Sequence, residues 1–145
     1  MADEKNIQMK LLSVDEVRFM MSSDAIDEST NPENIKIGFS NGIDPDVERD
    51  RFSMIFGVRY MVDNELILES VYRFTFEVVD LVRFVTFNQD QSITINHLMP
   101  HFLSVAVGTM RGILVAKTAG TAFALYPLPI IDINQLNENL SSARK

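Results

Sequence analysis

The chain has 145 residues, 46% of them hydrophobic, no cysteine and a formal net charge of -7, a size and composition that suit one domain around one core. Without cysteine there is no disulfide framework, thiolate metal site or thiol nucleophile. Residues 1–91 hold 18 acidic and 9 basic side chains against 2 and 4 in residues 92–145; such a negative field repels phosphate backbones and argues against a nucleic-acid partner, while fitting a basic protein partner.

Met1 to Asn6 are polar and mixed in charge, without the basic start and apolar run of a secretory signal, so a cytoplasmic protein is the expectation. From Ile7 to Met21 the apolar residues alternate in two groups, Ile7, Met9, Leu11 and Val17, Phe19, Met21, around Asp15-Glu16. This predicts a long strand with room for a bulge. Ser22 to Asn34 reads as an exposed acidic loop. Ile35, Ile37 and Phe39 predict a short half-buried strand, and the breaker-rich Asn41 to Asp46 a long connection after it.

Phe52, Met54, Phe56, Val58, Tyr60 and Val62 give an unbroken period of two, the mark of a strand. Asp63-Asn64 is a two-residue turn, and Leu66, Leu68, Tyr72, Phe74, Phe76 and Val78 answer with the same period, predicting an antiparallel hairpin. Residues 79–88 read as irregular or strand, which takes the strand region over about residues 7–88.

Near Asn96 the period changes to that of a helix, predicted over residues 96–118, with Pro100 in its first turn and Gly120 as a left-handed cap. Leu98 to Ala116 approaches membrane-spanning length, but His101, Ser104, Thr109 and Arg111 are costly in hydrocarbon, so no membrane insertion is expected. Tyr126-Pro127-Leu128-Pro129 is extended by its prolines. Asp132 or Asn134 can cap a short helix over residues 133–141 carrying Leu136 and Leu140, with the tail after Ser141 fraying. Strands followed by helices make the fold class α+β, in one domain over residues 1–145.

His97 and His101, four apart, are candidate metal ligands, but no Glu follows His97 as in a zinc-protease motif and no third ligand is apparent. They also begin a strip His97, His101, Ser104, Gly108, Arg111, Thr118. Within and beside it Ser104, Gly108 and Gly112, at i, i+4 and i+8, let a second helix approach closely, and mid-helix glycine costs about 1 kcal/mol unless packing offsets it. Ser104, Gly108, Arg111 and Gly112 are therefore the expected oligomer interface. No nucleophile motif or phosphate-binding loop is present, and Asp15 with Glu16 or Glu69 with Glu77 reads as solvated carboxylates. Neither an enzyme nor a cofactor is expected. The 8 Met and 10 Phe suit contact with varied apolar segments. An alternative reading is a small-ligand site between sheet and helix using His97, His101 and Arg111.

Ile7-Gln8-Met9-Lys10 with Val17-Arg18-Phe19 resembles the first strand of the SecB export-chaperone family, an apolar-Gln-apolar start before a Lys-Asp-x-Ser-Phe-Glu run. Glu16 and Phe19 match; Met20 and Ser22 depart. Pro100, the helix through Leu114, then Lys117, Gly120, Leu125, Pro129 and Leu136 resemble the family's closing segment, with Gly108-Thr109 in place of its Arg-Glu pair. The resemblance implies a four-stranded antiparallel sheet with helices on one side, assembled as a dimer of dimers that holds unfolded or nascent polypeptides, including preproteins, in apolar grooves without ATP. By position Phe39, Tyr126, Ile131, Ile133, Leu136 and Leu140 would line such a groove. Acids on the family's outer sheet face meet a translocation motor. Glu16 takes one such position, whereas Met20 and Ser70 stand where acids are expected, so a dedicated client such as an antitoxin is the alternative.

Overall fold

The computed structural model describes residues 7–91, 93–95 and 97–143; Met1 to Asn6, Ser92, Asn96 and the last two residues of the expected fraying tail lie outside them. β1 (Met9–Met21), β2 (Lys36–Asp46), β3 (Arg51–Val62) and β4 (Glu65–Val78) form a four-stranded antiparallel sheet in the order β1-β4-β3-β2. A two-stranded ribbon, β5 (Val85–Phe87) and β6 (Ile93–Ile95), precedes the long helix α1 (Met99–Thr118) and the shorter α2 (Ile133–Ala143). The fold is α+β.

The period of two in β3 and β4 fixes which face is inner. Phe52, Met54, Phe56, Val58 and Tyr60 lie opposite Phe76, Phe74, Tyr72, Ser70 and Leu68, and all ten are buried. Both Asp63 and Asn64 have positive φ, 51° and 65°, the turn whose twist matches a tight hairpin. Against this face α1 lays Met99, Phe102, Leu103, Ala106, Met110 and Leu114. The Phe102 ring stacks on Phe52 at 4.2 Å between centroids and tilts over Phe76 at 4.6 Å. By length and apolarity α1 would also pass for a membrane span, but its inner stripe is occupied by the sheet.

β1 has two register shifts, between Leu11 and Ser13 and between Glu16 and Arg18. Each inserts one residue and flips the parity of the strand beyond it. Met9 and Leu11, then Val14 and Glu16, then Phe19 and Met21 therefore share the inner side, lying opposite Val78, Phe76, Phe74, Tyr72, Ser70 and Leu68. Two bulges cancel, which is why the apolar residues at both ends of the strand keep the same parity.

Two boundaries differ from those predicted, at β2 and at the start of α1, while residues 79–88 are irregular and then strand as read. Asn41 to Asp46 is strand, not a long connection: β2 runs to Asp46 and only a 3-10 turn at Val47–Arg49 separates it from β3. As an edge strand β2 pairs on one side only, so Pro45 can turn its missing N–H outward. The segment after β4 leaves the sheet at Val79; the Asp50 carboxylate accepts from the amides of Asp80 and Leu81 at 3.3 and 3.2 Å, starting a 3-10 turn over Leu81–Phe84 that leads into the ribbon. The long helix begins at Met99 instead of near Asn96, with His97 in a left-handed conformation of φ 66° before it. At the other end Gly120, φ 81°, is the expected left-handed residue. Asp132 accepts from the Gln135 amide at 3.1 Å and caps α2.

Candidate functional site

Residues 119–132 form a strap from α1 to α2, and the chain pins it in three places. The buried Tyr60 hydroxyl donates to the Tyr126 carbonyl at 2.8 Å, and burial pushes the Tyr60 phenol up to about 12. The Tyr126 hydroxyl lies within donating distance of the Asp27 and Thr30 carbonyls, at 3.1 and 2.7 Å, tying the strap to the acidic loop. Arg111 on α1 donates to the Pro129 carbonyl at 2.8 Å. The loop is itself stiffened: Ser29, through its hydroxyl and its amide, and Thr30 donate to Asp27 and hold its carboxyl below the ordinary range. Leu128 plugs the strap into the core, while Leu125 and Ile130 remain 58% and 98% exposed.

The residues expected to line a groove gather on this side of the sheet, but not all of them face outward. Leu136 and Leu140 are buried and fasten α2 to the core. Ile131, Ile133, Phe39 and Tyr126 are half-buried against it, with Phe39 stacked on Phe56 at 6.0 Å between centroids. The large opening lies beside them: a cavity of about 780 Å³ between Ile43 of β2, Ile93 and Ile95 of β6, Met99 and Pro100 of α1, and Asn137 and Ser141 of α2, with Gln91, Thr94 and His97 on its wall. None of the six expected groove residues lines it. The sequence signal for it was the alternation of Ile93 and Ile95, too short to announce a strand. At the β2 and α2 margin, the Asn41 amide nitrogen and the Asn137 amide oxygen are buried with no hydrogen-bond partner among the described residues.

The small-residue strip faces outward. Ser104, Gly108 and Gly112 are exposed, and a Cβ placed on either glycine would meet nothing within 4 Å. Val115 beside them is 59% exposed. Arg111, half-exposed, already serves the strap. His97 precedes α1 while His101 lies on its exposed side, so the two do not share a helical face. Among the described residues no group of three His, Cys, Asp or Glu could hold a metal ion.

Glu16 corrects the expectation for the outer sheet face. Between the two bulges its side chain turns to the helix side, where it accepts from Lys117 Nζ at 2.7 Å and from the Tyr72 hydroxyl at 2.9 Å. The Lys117 hydrogen bond, then that of Tyr72, holds its carboxyl below the ordinary range. Ser70 also faces inward, donating to Met110 Sδ at 3.1 Å.

No family model matches the chain, and no curated protein does. Among solved structures, one similar to this chain is the Mycobacterium tuberculosis SecB-like chaperone in complex with a ChAD peptide from the HigA1 antitoxin, at a TM-score of 0.46 and 12% identity, covering 86% of this chain and 89% of that one.

Proposed function

We propose that this protein holds non-native polypeptide segments without ATP, as a homo-oligomer. The observation that carries the reading is the open cavity of about 780 Å³ whose wall alternates isoleucine, methionine and proline with neutral polar groups. Such a wall takes apolar side chains of varied shape and offers hydrogen bonds to a backbone without selecting one charge. Of the two orphan amide groups, the Asn137 oxygen belongs to a residue on this wall. A buried unpaired group costs about 1–3 kcal/mol, and an extended peptide brings the N–H and C=O groups that match an orphan oxygen and an orphan nitrogen. The acidic surface keeps the loaded protein soluble.

The assembly reading rests on α1. Because a Cβ at Gly108 meets no atom of its own chain, Gly108→Leu leaves the protomer intact and improves helix propensity by about 1 kcal/mol. A shift to smaller species in sedimentation would therefore report an intermolecular clash, and an unchanged mass would remove this interface. Holding is tested by light scattering of a refolding client: a several-fold excess of the protein suppresses aggregation, and Ile43→Asp with Ile93→Asp reduces that suppression. Failure of the unaltered protein to suppress aggregation ends the proposal. Capture from its own cells distinguishes a single dedicated client from many nascent chains.

A small-molecule reading is favoured by Gln91, His97 and Asn137 on the same wall. It predicts that His97→Ala abolishes ligand-induced stabilisation while client holding persists.

A further inference from the structure

The outer sheet face is chemically unlike the rest of the N-terminal half. The cross-strand register places Arg18, Val71, Gly57 and Ser40 in one row across the sheet, Glu69, Arg59 and Gly38 in the row on one side, and Asp15, Arg73, Ile55 and Gly42 on the other. Val71 is only 7% exposed, yet it is the single buried hydrophobic, among the described residues, outside the core cluster. Ile55 is half-buried and likewise outside it. The floor between them is flat: Ser40 Oγ lies 2.6 Å from where a Gly57 Cβ would be, and the Arg59 guanidinium lies 4.0 Å from that position on Gly38.

Charge separates this floor from an ordinary solvated face. Arg18 is neutralised by Glu69 at 2.7 Å and Arg51 by Glu77 at 2.8 Å. That spends the carboxylate opposite Arg59, and Arg59 and Arg73, both exposed, have no ion-pair or hydrogen-bond partner among the described residues. Two arginines thus stand over a small apolar platform with no carboxylate among the described residues within ion-pair distance, although Asp15 and Glu69 are their cross-strand neighbours. They stand on neighbouring strands, four residues apart in register, a backbone offset of about 14 Å along the strands at roughly 3.4 Å per residue.

We propose that this face docks an acid-rich, extended segment of another protein. Carboxylates four residues apart on one side of an extended chain match the arginine spacing, and guanidinium and carboxylate can pair in bidentate fashion. The intervening small side chain would lie over Val71 and the Ser40 hydroxyl that covers Gly57. The net charge of -7 opposes approach from afar, but at physiological salt such fields are screened beyond about 8 Å, leaving the local arginines to decide contact. Nucleic acid fits less well. Its phosphates demand a continuous basic stripe, whereas Asp15 and Glu69 interrupt this one, and the face carries no aromatic ring on which a base could stack.

The test is fluorescence anisotropy of a labelled peptide alternating Glu and Val, at low and at physiological salt, with a Lys-Val peptide as control. The unaltered protein binds the acidic peptide only, and Arg59→Glu with Arg73→Glu weakens binding about tenfold or more, the equivalent of about 1.4 kcal/mol. The paired Gln variant, which removes charge without reversing it, shows an intermediate loss with unchanged circular dichroism. No binding by the unaltered protein, or equal binding by both variants, overturns the proposal. So does a single-stranded oligonucleotide binding more tightly through the same arginines, which makes the face a nucleic-acid surface. A fall in sedimented mass of the Glu variant also overturns it, by making the occupant a second copy of this chain.

Discussion

Tyr60→Phe removes one oxygen from the point where sheet and strap meet, and its effect on stability should change with pH. Tyr60 is 2% exposed and its hydroxyl donates to the Tyr126 carbonyl at 2.8 Å. Near pH 7 the variant loses that bond, about 1 kcal/mol, and leaves a carbonyl short of a donor. At high pH the sign reverses. In the unfolded chain the phenol ionises near 10.0, in the folded chain near 12, because burial disfavours the anion. The stability this group contributes is complete below 10 and declines as pH climbs through 12. Two pH units at about 1.4 kcal/mol each amount to roughly 3 kcal/mol. The Phe variant has no such loss, so urea-unfolding free energies of the two proteins, measured by far-ultraviolet circular dichroism from neutral pH to about pH 11.5, should converge and then cross. Burial also raises Tyr72, with the Glu16 hydrogen bond adding to it, but that slope is common to both proteins and cancels. Parallel curves across the alkaline range would show that Tyr60 is not buried beneath the strap.

Phe102→Ala should cost about 3–5 kcal/mol, since a fully buried ring between two others leaves a cavity; a loss below about 1 kcal/mol in denaturant melts would contradict the packing of α1 on the sheet. Lys117→Met should let the Glu16 carboxyl return upward toward 4.5, read by carbon NMR titration. Because the folded pKa is depressed, this group's contribution to stability is present above 4.5 and fades as pH falls through the folded value, and the variant, left with the Tyr72 hydrogen bond alone, shows less of that fading. Gly57→Ala should destabilise by about 1 kcal/mol through its clash with Ser40, and Ser40→Ala should recover part of it; independent, additive effects would refute the contact.

The strand core was legible because β3 and β4 obey a period of two on a face that is fully covered. β1 was legible as a strand, but not in its facing. Two bulges that cancel leave the terminal pattern intact and hide the middle, so Glu16 read as an outer-face acid when it faces Lys117. Asn41 to Asp46 carry Gly, Asp and Pro, all weak strand formers, and only the eleven-pair register with β3 makes them strand; edge position overrode local propensity. His97 misread as helical for a similar reason, because its positive φ is set by the turn that brings α1 onto the sheet. Of the candidate site, Ser104, Gly108 and Gly112 are exposed as their spacing suggested, but the longer strip is broken, since His97 lies before the helix and Thr118 is buried. The cavity was not legible, since its walls come from three stretches distant in sequence, at Ile43, at residues 91–100 and at Asn137 to Ser141.

Ile130 separates the folding role of the strap from its binding role. At 98% exposure it contributes almost no burial to the protomer, so Ile130→Glu should change stability by no more than about 0.5 kcal/mol. Leu125, at 58% exposure, serves as a companion site with some packing to lose. An isoleucine held in water next to the pinned Pro129 carbonyl presents an apolar surface open to a second molecule. If clients or neighbouring protomers land there, Ile130→Glu lowers aggregation suppression or assembly while the melting temperature stays put. A fall in melting temperature would mean that the residue packs within its own chain, and unchanged holding together with unchanged mass would take the strap out of the binding surface and leave the cavity beside α2 to act alone.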